Sequence, residues 1–145
     1  MAIEPVLCAV CESPTGHPLR VLCPRCKKFH GRVETRKRTG EIPLVVPDAR
    51  LRAMKASWSK KDQCFLCHYS GVRLVETHPH PAYRTFDHTT ARDGREVTVV
   101  AHVINDMKSV LSDTDFKALV IELAKKFQGG PFDQQLIEDI VYRDA

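Results

Sequence analysis

The clearest alternation of hydrophobic and polar positions lies between Tyr83 and Ser109. An alternating Tyr-x-Thr-Phe run ends on Asp87-His88, a polar turn containing Asp93-Gly94 follows, and the β-rich EVTVV leads to Asn105 and Lys108. That pattern predicts strand, turn, strand and the start of a helix. Upstream, GVRLVETH alternates enough for another strand, which the Pro79 to Pro81 segment breaks before AYRTFDH. Elsewhere the period lengthens to that of a helix. Asp48 can cap a helix over ARLRAMKASWSKK, where Leu51, Met54 and Trp58 recur at helical spacing, and Trp58 is assigned to the core rather than to base stacking. Ser112 with Asp115 resembles a capping box, and Phe116, Leu119, Val120, Leu123 and Phe127 then mark one helix face. Gly129-Gly130 stops that helix, Pro131 starts the next, and FDQQLIEDIVY supplies a second amphipathic helix. IPLVVP, bracketed by Pro43 and Pro47, is too short for a long element. No internal repeat interrupts this order, and the expected class is α+β.

A chain of 145 residues suits one compact domain with a small appendage, large enough to hold a core. No apolar run approaches the roughly 20 residues of a membrane span, and Glu4-Pro5 near the start argues against a secretory signal. The expectation is a soluble, intracellular, cytoplasmic protein without a membrane partner.

Six cysteines fall into three Cys-x-x-Cys pairs, Cys8/Cys11, Cys23/Cys26 and Cys64/Cys67. Thiolates two residues apart can turn onto one tetrahedral ion, so in an intracellular chain this spacing argues for metal over disulfides. Cys8, Cys11, Cys23 and Cys26 are expected to hold a structural Zn²⁺ in a ribbon-like module, with SPTGHPLRV providing a turn and a short strand. Four thiolates would close that site to catalysis. Cys64 and Cys67 lack a downstream pair, which leaves them either as two half-buried thiols or as half of a second zinc site completed by His68, His78 or His80.

The formal net charge of +4 conceals an asymmetry: the basic excess gathers between Lys27 and Lys61, whereas the segment after Ser109 is net acidic. A polyanion partner follows from that clustering, DNA first with RNA not excluded. Lys27, Lys28, Arg32, Arg36, Lys37, Arg38, Arg50, Arg52, Lys55 and Arg84 are the candidate nucleic-acid contacts. Within them, Gly31 to Gly40 reads as a strand pair or an arm that meets phosphate rather than core.

The Tyr83 to Ser109 stretch carries chemistry of its own. An Asp-His pair at a strand end and an Asn with a Lys at a helix start offer two hard oxygen ligands, an imidazole base and a cation. His88 would take a proton from water, its ordinary pKa near ~6.5 suiting that task. Asp87 and Asn105 would hold Mg²⁺ or Mn²⁺ through oxygen, and Lys108 and Arg84 would neutralise phosphate. His102 and Asp106 are alternative metal partners. Adjacent strand residues point to opposite faces, so Asp87 and His88 can serve one site only where the strand ends or twists between them.

Taken together, DH, a turn with glycine, VTVV and then N-x-x-K-S resemble the ββα-metal, or His-Me finger, core of HNH endonucleases, a family that includes many phage and mobile-intron enzymes. The resemblance spans roughly residues 64 to 127. It implies metal-dependent cleavage of DNA, with His88 as base and Asp87 and Asn105 as metal ligands. Many such enzymes carry two Cys-x-x-Cys knuckles around the motif. Cys64/Cys67 resembles the first, but Ala101 and Ile104 stand where the second is expected, which argues for hydrophobic packing in place of zinc there. The layout expected is a zinc-ribbon-like module and basic arm over 1–46, a basic helical connector over 47–63, an HNH-like ββα core over 64–128 and a C-terminal helix over 129–145. Pairing of two chains to cut both strands, and a host-cell location for a phage-encoded enzyme, stay open. The rival readings are a non-catalytic zinc-binding regulator that binds nucleic acid, and an adaptor that docks through its C-terminal helices.

Overall fold

The computed structural model describes residues 6–31, 49–89 and 96–142. Asp48, the Gly31 to Gly40 stretch beyond Gly31, IPLVVP and the Asp93-Gly94 turn lie outside them. Among the described residues the chain is α+β, with five helices and two small antiparallel sheets.

The N-terminal cysteines sit on a tight loop and a short helix. After Cys8 the chain turns back on itself: the Cys8 N–H donates to Ser13 O at 2.7 Å, and the Glu12 N–H to Cys8 O at 3.0 Å. Glu12 itself has φ 63°, the left-handed conformation this turn requires of a residue with a Cβ. Helix α1 (Pro24–His30) then starts on Pro24, whose fixed φ and missing N–H suit a first turn, with Cys23 as its N-cap. The second cysteine pair thus lies at a helix start. The expected short strand between the pairs is reduced to one isolated bridge, Leu7 to Pro14.

Helix α2 (Ala49–Ser57) buries Ala49, Arg50, Ala53 and Met54, and Leu51 and Trp58 pack against the core from its edge. Trp58 is no longer helical. It opens strand β1 (Trp58–Ser59), which pairs antiparallel with β2 (Cys64–Phe65), with Trp58 opposite Phe65 and the two rings edge to face at 5.0 Å. The segment expected as a strand over 71–78 contributes only single bridges, Leu66 to Arg73 and Val75 to Tyr83.

Strands β3 (Arg84–His88) and β4 (Val97–Ala101) form the larger hairpin, pairing Arg84 with Ala101, Phe86 with Val99, Asp87 with Thr98 and His88 with Val97. Arg84 through Asp87 are all buried, so both faces of the hairpin are covered. Helix α3 (His102–Lys108) follows β4 without a break, its first amide donating to Tyr83 O at 2.8 Å. Asn105 is therefore mid-helix, not at the helix start.

Helix α4 (Asp113–Phe127) begins as expected, with the Ser112 hydroxyl accepting from the Asp115 N–H at 3.1 Å. Its face is narrower than its hydrophobic positions suggest: Phe116 is buried, whereas Val120 and Phe127 are exposed. Glu122 is buried there instead, its carboxylate bonded to Lys125 and to the Asp133 N–H at 2.8 Å each. Helix α5 (Gln134–Tyr142) starts three residues after Pro131, where Asp133 Oδ1 accepts the Leu136 N–H at 3.0 Å, and it buries Ile137 and Ile140.

One core joins the N-terminal cysteines to the hairpin. Phe29 of α1 stacks on Phe86 of β3 at 4.3 Å and meets Phe65 of β2 edge-on at 5.3 Å. The Arg84 guanidinium lies over the Phe29 ring at 4.7 Å and the Arg50 guanidinium over the Phe86 ring at 4.9 Å. Glu76 closes this arrangement, taking Arg84 at 2.8 Å and the Arg25 Nε at 2.9 Å. Burial raises the Glu76 carboxyl, but Arg25 and Arg84 outweigh it and hold its pKa below the ordinary 4.5. Its contribution is then complete above pH 4.5 and is lost as pH falls through the depressed value. Glu76→Gln is expected to lower stability by about 1 kcal/mol at pH 7, because Glu76 is partly solvated. In urea melts the gap from wild type should narrow at pH 3, and a gap of equal size at both pH values would remove Glu76 from this role.

Candidate functional site

Two constellations carry chemistry. The first is the cysteine cluster: the sulfurs of Cys8, Cys11, Cys23 and Cys26 all lie within 4.8 Å of one another, and all four residues are buried. Two thiolates on a tetrahedral zinc stand about 3.8 Å apart, as follows from a Zn–S bond of ~2.3 Å. Cys11 Sγ and Cys23 Sγ are 3.5 Å apart, so the four residues could hold zinc with little movement. The thiols are unequal without it. The Cys8 thiol, although burial raises it, is pulled down to about 6 by the backbone amides of Cys11, Cys23 and Val10. Burial and the neighbouring sulfurs push Cys26 far up. A metal that accepts four thiolates removes that conflict.

The third pair behaves differently. All six cysteines are free thiols, and among the described residues neither Cys64 nor Cys67 belongs to a cluster of three or more metal-ligating side chains. His68, His78 and His80 do not complete one. Cys67 Sγ instead receives the Ala101 N–H at 3.4 Å. Burial raises the Cys67 thiol, but Ser70, Ala101 and Tyr69 donate enough to lower it on balance. The main chain at Ala101, one of the two positions read as an absent second knuckle, thus lies against Cys67. Ala101 is buried in the core and Ile104 packs against it.

The second constellation lies between β3 and α3. Asp87 is 6 % exposed and Lys108 is 1 % exposed. The Lys108 ammonium stands 3.0 Å from Asp87 Oδ2 and 3.3 Å from Oδ1, and donates to His88 O at 2.6 Å. Oδ2, despite its distance, is oriented so that it makes no hydrogen bond. Burial raises the Asp87 pKa, opposed by Lys108 and then by His88. The ladder runs unbroken through Asp87 and His88 and on to the Thr89 N–H, which donates to Glu96 O at 3.3 Å. Their side chains therefore leave opposite faces, and Lys108 reaches the carboxylate of one and the carbonyl of the other. Asn105, half-buried on α3 one turn before Lys108, accepts the Ser109 N–H at its main-chain oxygen. His102 and Asp106, the alternative metal partners, pair with each other at 3.2 Å.

Comparison of the chain with protein-family models, with curated proteins and with solved structures finds no match.

Several candidate phosphate contacts are corrected by their surroundings. Arg50 and Arg84 are 2 % and 5 % exposed. Arg50 donates to His30 O at 2.6 Å, and Arg84 is held by Glu76, so both belong to the aromatic core rather than to the exposed surface. Lys108, as placed, faces Asp87 rather than solvent. Lys27, Lys28, Arg52 and Lys55 are exposed on α1 and α2, whereas Arg32, Arg36, Lys37 and Arg38 lie outside the described residues.

Sequence patterns alone did not single out Tyr69 or Asp113. The Tyr69 ring packs edge-on against His68 and Phe116, and its buried hydroxyl faces Asp113. Burial and the Asp113 carboxylate raise the Tyr69 pKa, and Tyr69 with Lys117 lowers that of Asp113 against its own burial. The Asp113 N–H donates to Thr89 O at 2.9 Å, tying the start of α4 to the end of β3. The only local signal was the capping box, which places Asp113 in a first turn but does not say what it faces. No described helix is long and apolar enough to cross a membrane.

Proposed function

We propose that the chain is a metal-dependent endonuclease that hydrolyses DNA phosphodiester bonds through an HNH-like ββα core. The observation that carries this reading is the hairpin β3–β4 running directly into α3, with the buried Asp87 carboxylate on the strand and the Asn105-bearing helix packed against it. Asp87 and Asn105 are the oxygen donors that would hold Mg²⁺ or Mn²⁺. When bound, such an ion supplies charge neutralisation at the phosphate and help for the departing O3′. His88 would take the proton from a water molecule whose oxygen attacks phosphorus as the P–O3′ bond breaks, which requires the end of β3 to twist, because the paired strand sends the Asp87 and His88 side chains to opposite faces. Exposed Lys27, Lys28, Arg52 and Lys55 supply sequence-independent attraction to the backbone. The four-cysteine cluster, read as a structural zinc site, fixes α1 to the loop that carries Cys8 and Cys11.

Supercoiled plasmid incubated with the protein in Mg²⁺ or Mn²⁺ tests this. Wild type should nick or linearise it, and chelator or His88→Ala should cut the rate by about 10²-fold or more. Equal cleavage by His88→Ala would end its role as base. The Lys108–Asp87 pair favours a second reading, a zinc-structured nucleic-acid-binding regulator that does not cleave. Retarded but uncut DNA with both proteins would select it.

A further inference from the structure

Lys108 is at odds with a simple metal site, and that conflict carries information. Burying an ammonium costs several kcal/mol unless anionic or strongly polar groups surround it. Here three oxygens converge on it, both carboxylate oxygens of Asp87 and the main-chain oxygen of His88, at 2.6 to 3.3 Å. Such a set of hard oxygens on a buried, anionic residue is a cation site. Asp87 Oδ2 keeps its acceptor capacity, making no hydrogen bond although it is buried.

We infer that Lys108 is a tethered occupant of this cation site, and that a divalent ion enters only when the ammonium leaves. The inference rests on the reading of Asp87 as a metal ligand. An ammonium and a divalent ion drawn to the one Asp87 carboxylate repel each other strongly at contact distance in a weakly solvated pocket. In the free protein the ammonium neutralises Asp87 and holds α3 to β3. A phosphodiester placed at the site offers the ammonium another anion, and its departure exposes Asp87 to Mg²⁺ or Mn²⁺. Metal and nucleic acid then bind with positive coupling, each improving the other's affinity by the same factor. The arrangement keeps the protein from assembling a loaded centre without substrate.

Binding of Mn²⁺ to the zinc-loaded protein, followed by loss of the free-ion paramagnetic resonance signal and by the thermal midpoint, tests this without measuring cleavage. Wild type alone should bind weakly and show no shift. Lys108→Met and Lys108→Gln should each bind one Mn²⁺ about tenfold or more tighter, with a raised midpoint, and adding Asp87→Asn should abolish both effects. Should neither neutral variant fold, His88→Ala, which keeps Asp87 and Lys108 and does not cleave, decides: its Mn²⁺ affinity must rise by about tenfold or more when duplex DNA is added. Wild type binding Mn²⁺ as tightly as the neutral variants, or without regard to DNA, overturns the tethered-cation role while leaving Asp87 a metal ligand. Folded variants that bind no Mn²⁺ even with DNA overturn the metal reading of Asp87 together with the inference.

Discussion

Cys26→Ser is expected to abolish zinc binding and cooperative folding together. Metal analysis of wild type should find one zinc per chain, and the variant less than about a tenth of that. Zinc bound by four cysteines contributes about 10–16 kcal/mol of apparent free energy in small folding units, which matches or exceeds the roughly 5–15 kcal/mol net stability of a whole domain. Cys26 is buried in the same cluster as Phe29, Phe65 and Phe86, so the loss cannot stay local. With serine in place, three sulfurs remain, the fourth position of the tetrahedron goes to a weak oxygen or to water, and α1 is no longer pinned at its first turn. Cys64→Ser and Cys67→Ser supply the contrast: zinc should stay at one per chain in both. A cooperative thermal transition in metal-free Cys26→Ser would show that the core stands without the ion.

The cysteine cluster was legible because its information is local. Two residues between paired thiols and eleven between the pairs are enough to bring four sulfurs together wherever the turn is tight. The two strands of the hairpin were legible for a similar reason, since β-branched and aromatic runs on either side of a polar stretch mark strands that are neighbours in sequence. Where elements depend on distant partners, the pattern misleads. EVTVV did not say where the strand gives way to the helix: the His102 and Val103 amides find Tyr83 O and Pro81 O, and the chain turns into α3 there. Val120 and Phe127 repeat at helical spacing with Phe116, but α5 covers only part of that face.

Charge was the least transferable signal. Arg50 and Arg84 look like surface residues in a basic chain, and their fate is decided by Phe86, Phe29 and Glu76, none of which is near enough in sequence to predict contact. Arginine is weakly hydrated and planar, so it can be buried over an aromatic ring if a carboxylate or carbonyl completes its bonding. Lys108 shows the same ambiguity at the candidate site. Its spacing from Asn105 placed it correctly on the helix, but only the packing of α3 on β3 shows the ammonium turned inward to Asp87.

The same packing identifies a residue that the basic run KKFHGR hid. Phe29 is 1 % exposed, and its ring is the contact that fastens α1 to β2 and β3. Phe29→Ala is expected to lower stability by about 3–5 kcal/mol, the range for deleting a fully buried phenylalanine, of which aromatic stacking supplies about 0.5–1.5 kcal/mol. The deletion also strips the Arg84 guanidinium of the ring beneath it, leaving Glu76 as its main support. Phe29→Leu keeps apolar volume but loses the flat face, and its cost should be nearer 1–2 kcal/mol. Zinc should remain at one per chain in both variants, because no ligand is touched, and this separates the docking of α1 from metal binding. Urea melts of the zinc-loaded proteins measure the difference. A loss below about 1 kcal/mol in Phe29→Ala would mean that polar contacts such as the Arg25–Glu76–Arg84 bridge, rather than the ring, hold the cysteine module to the hairpin.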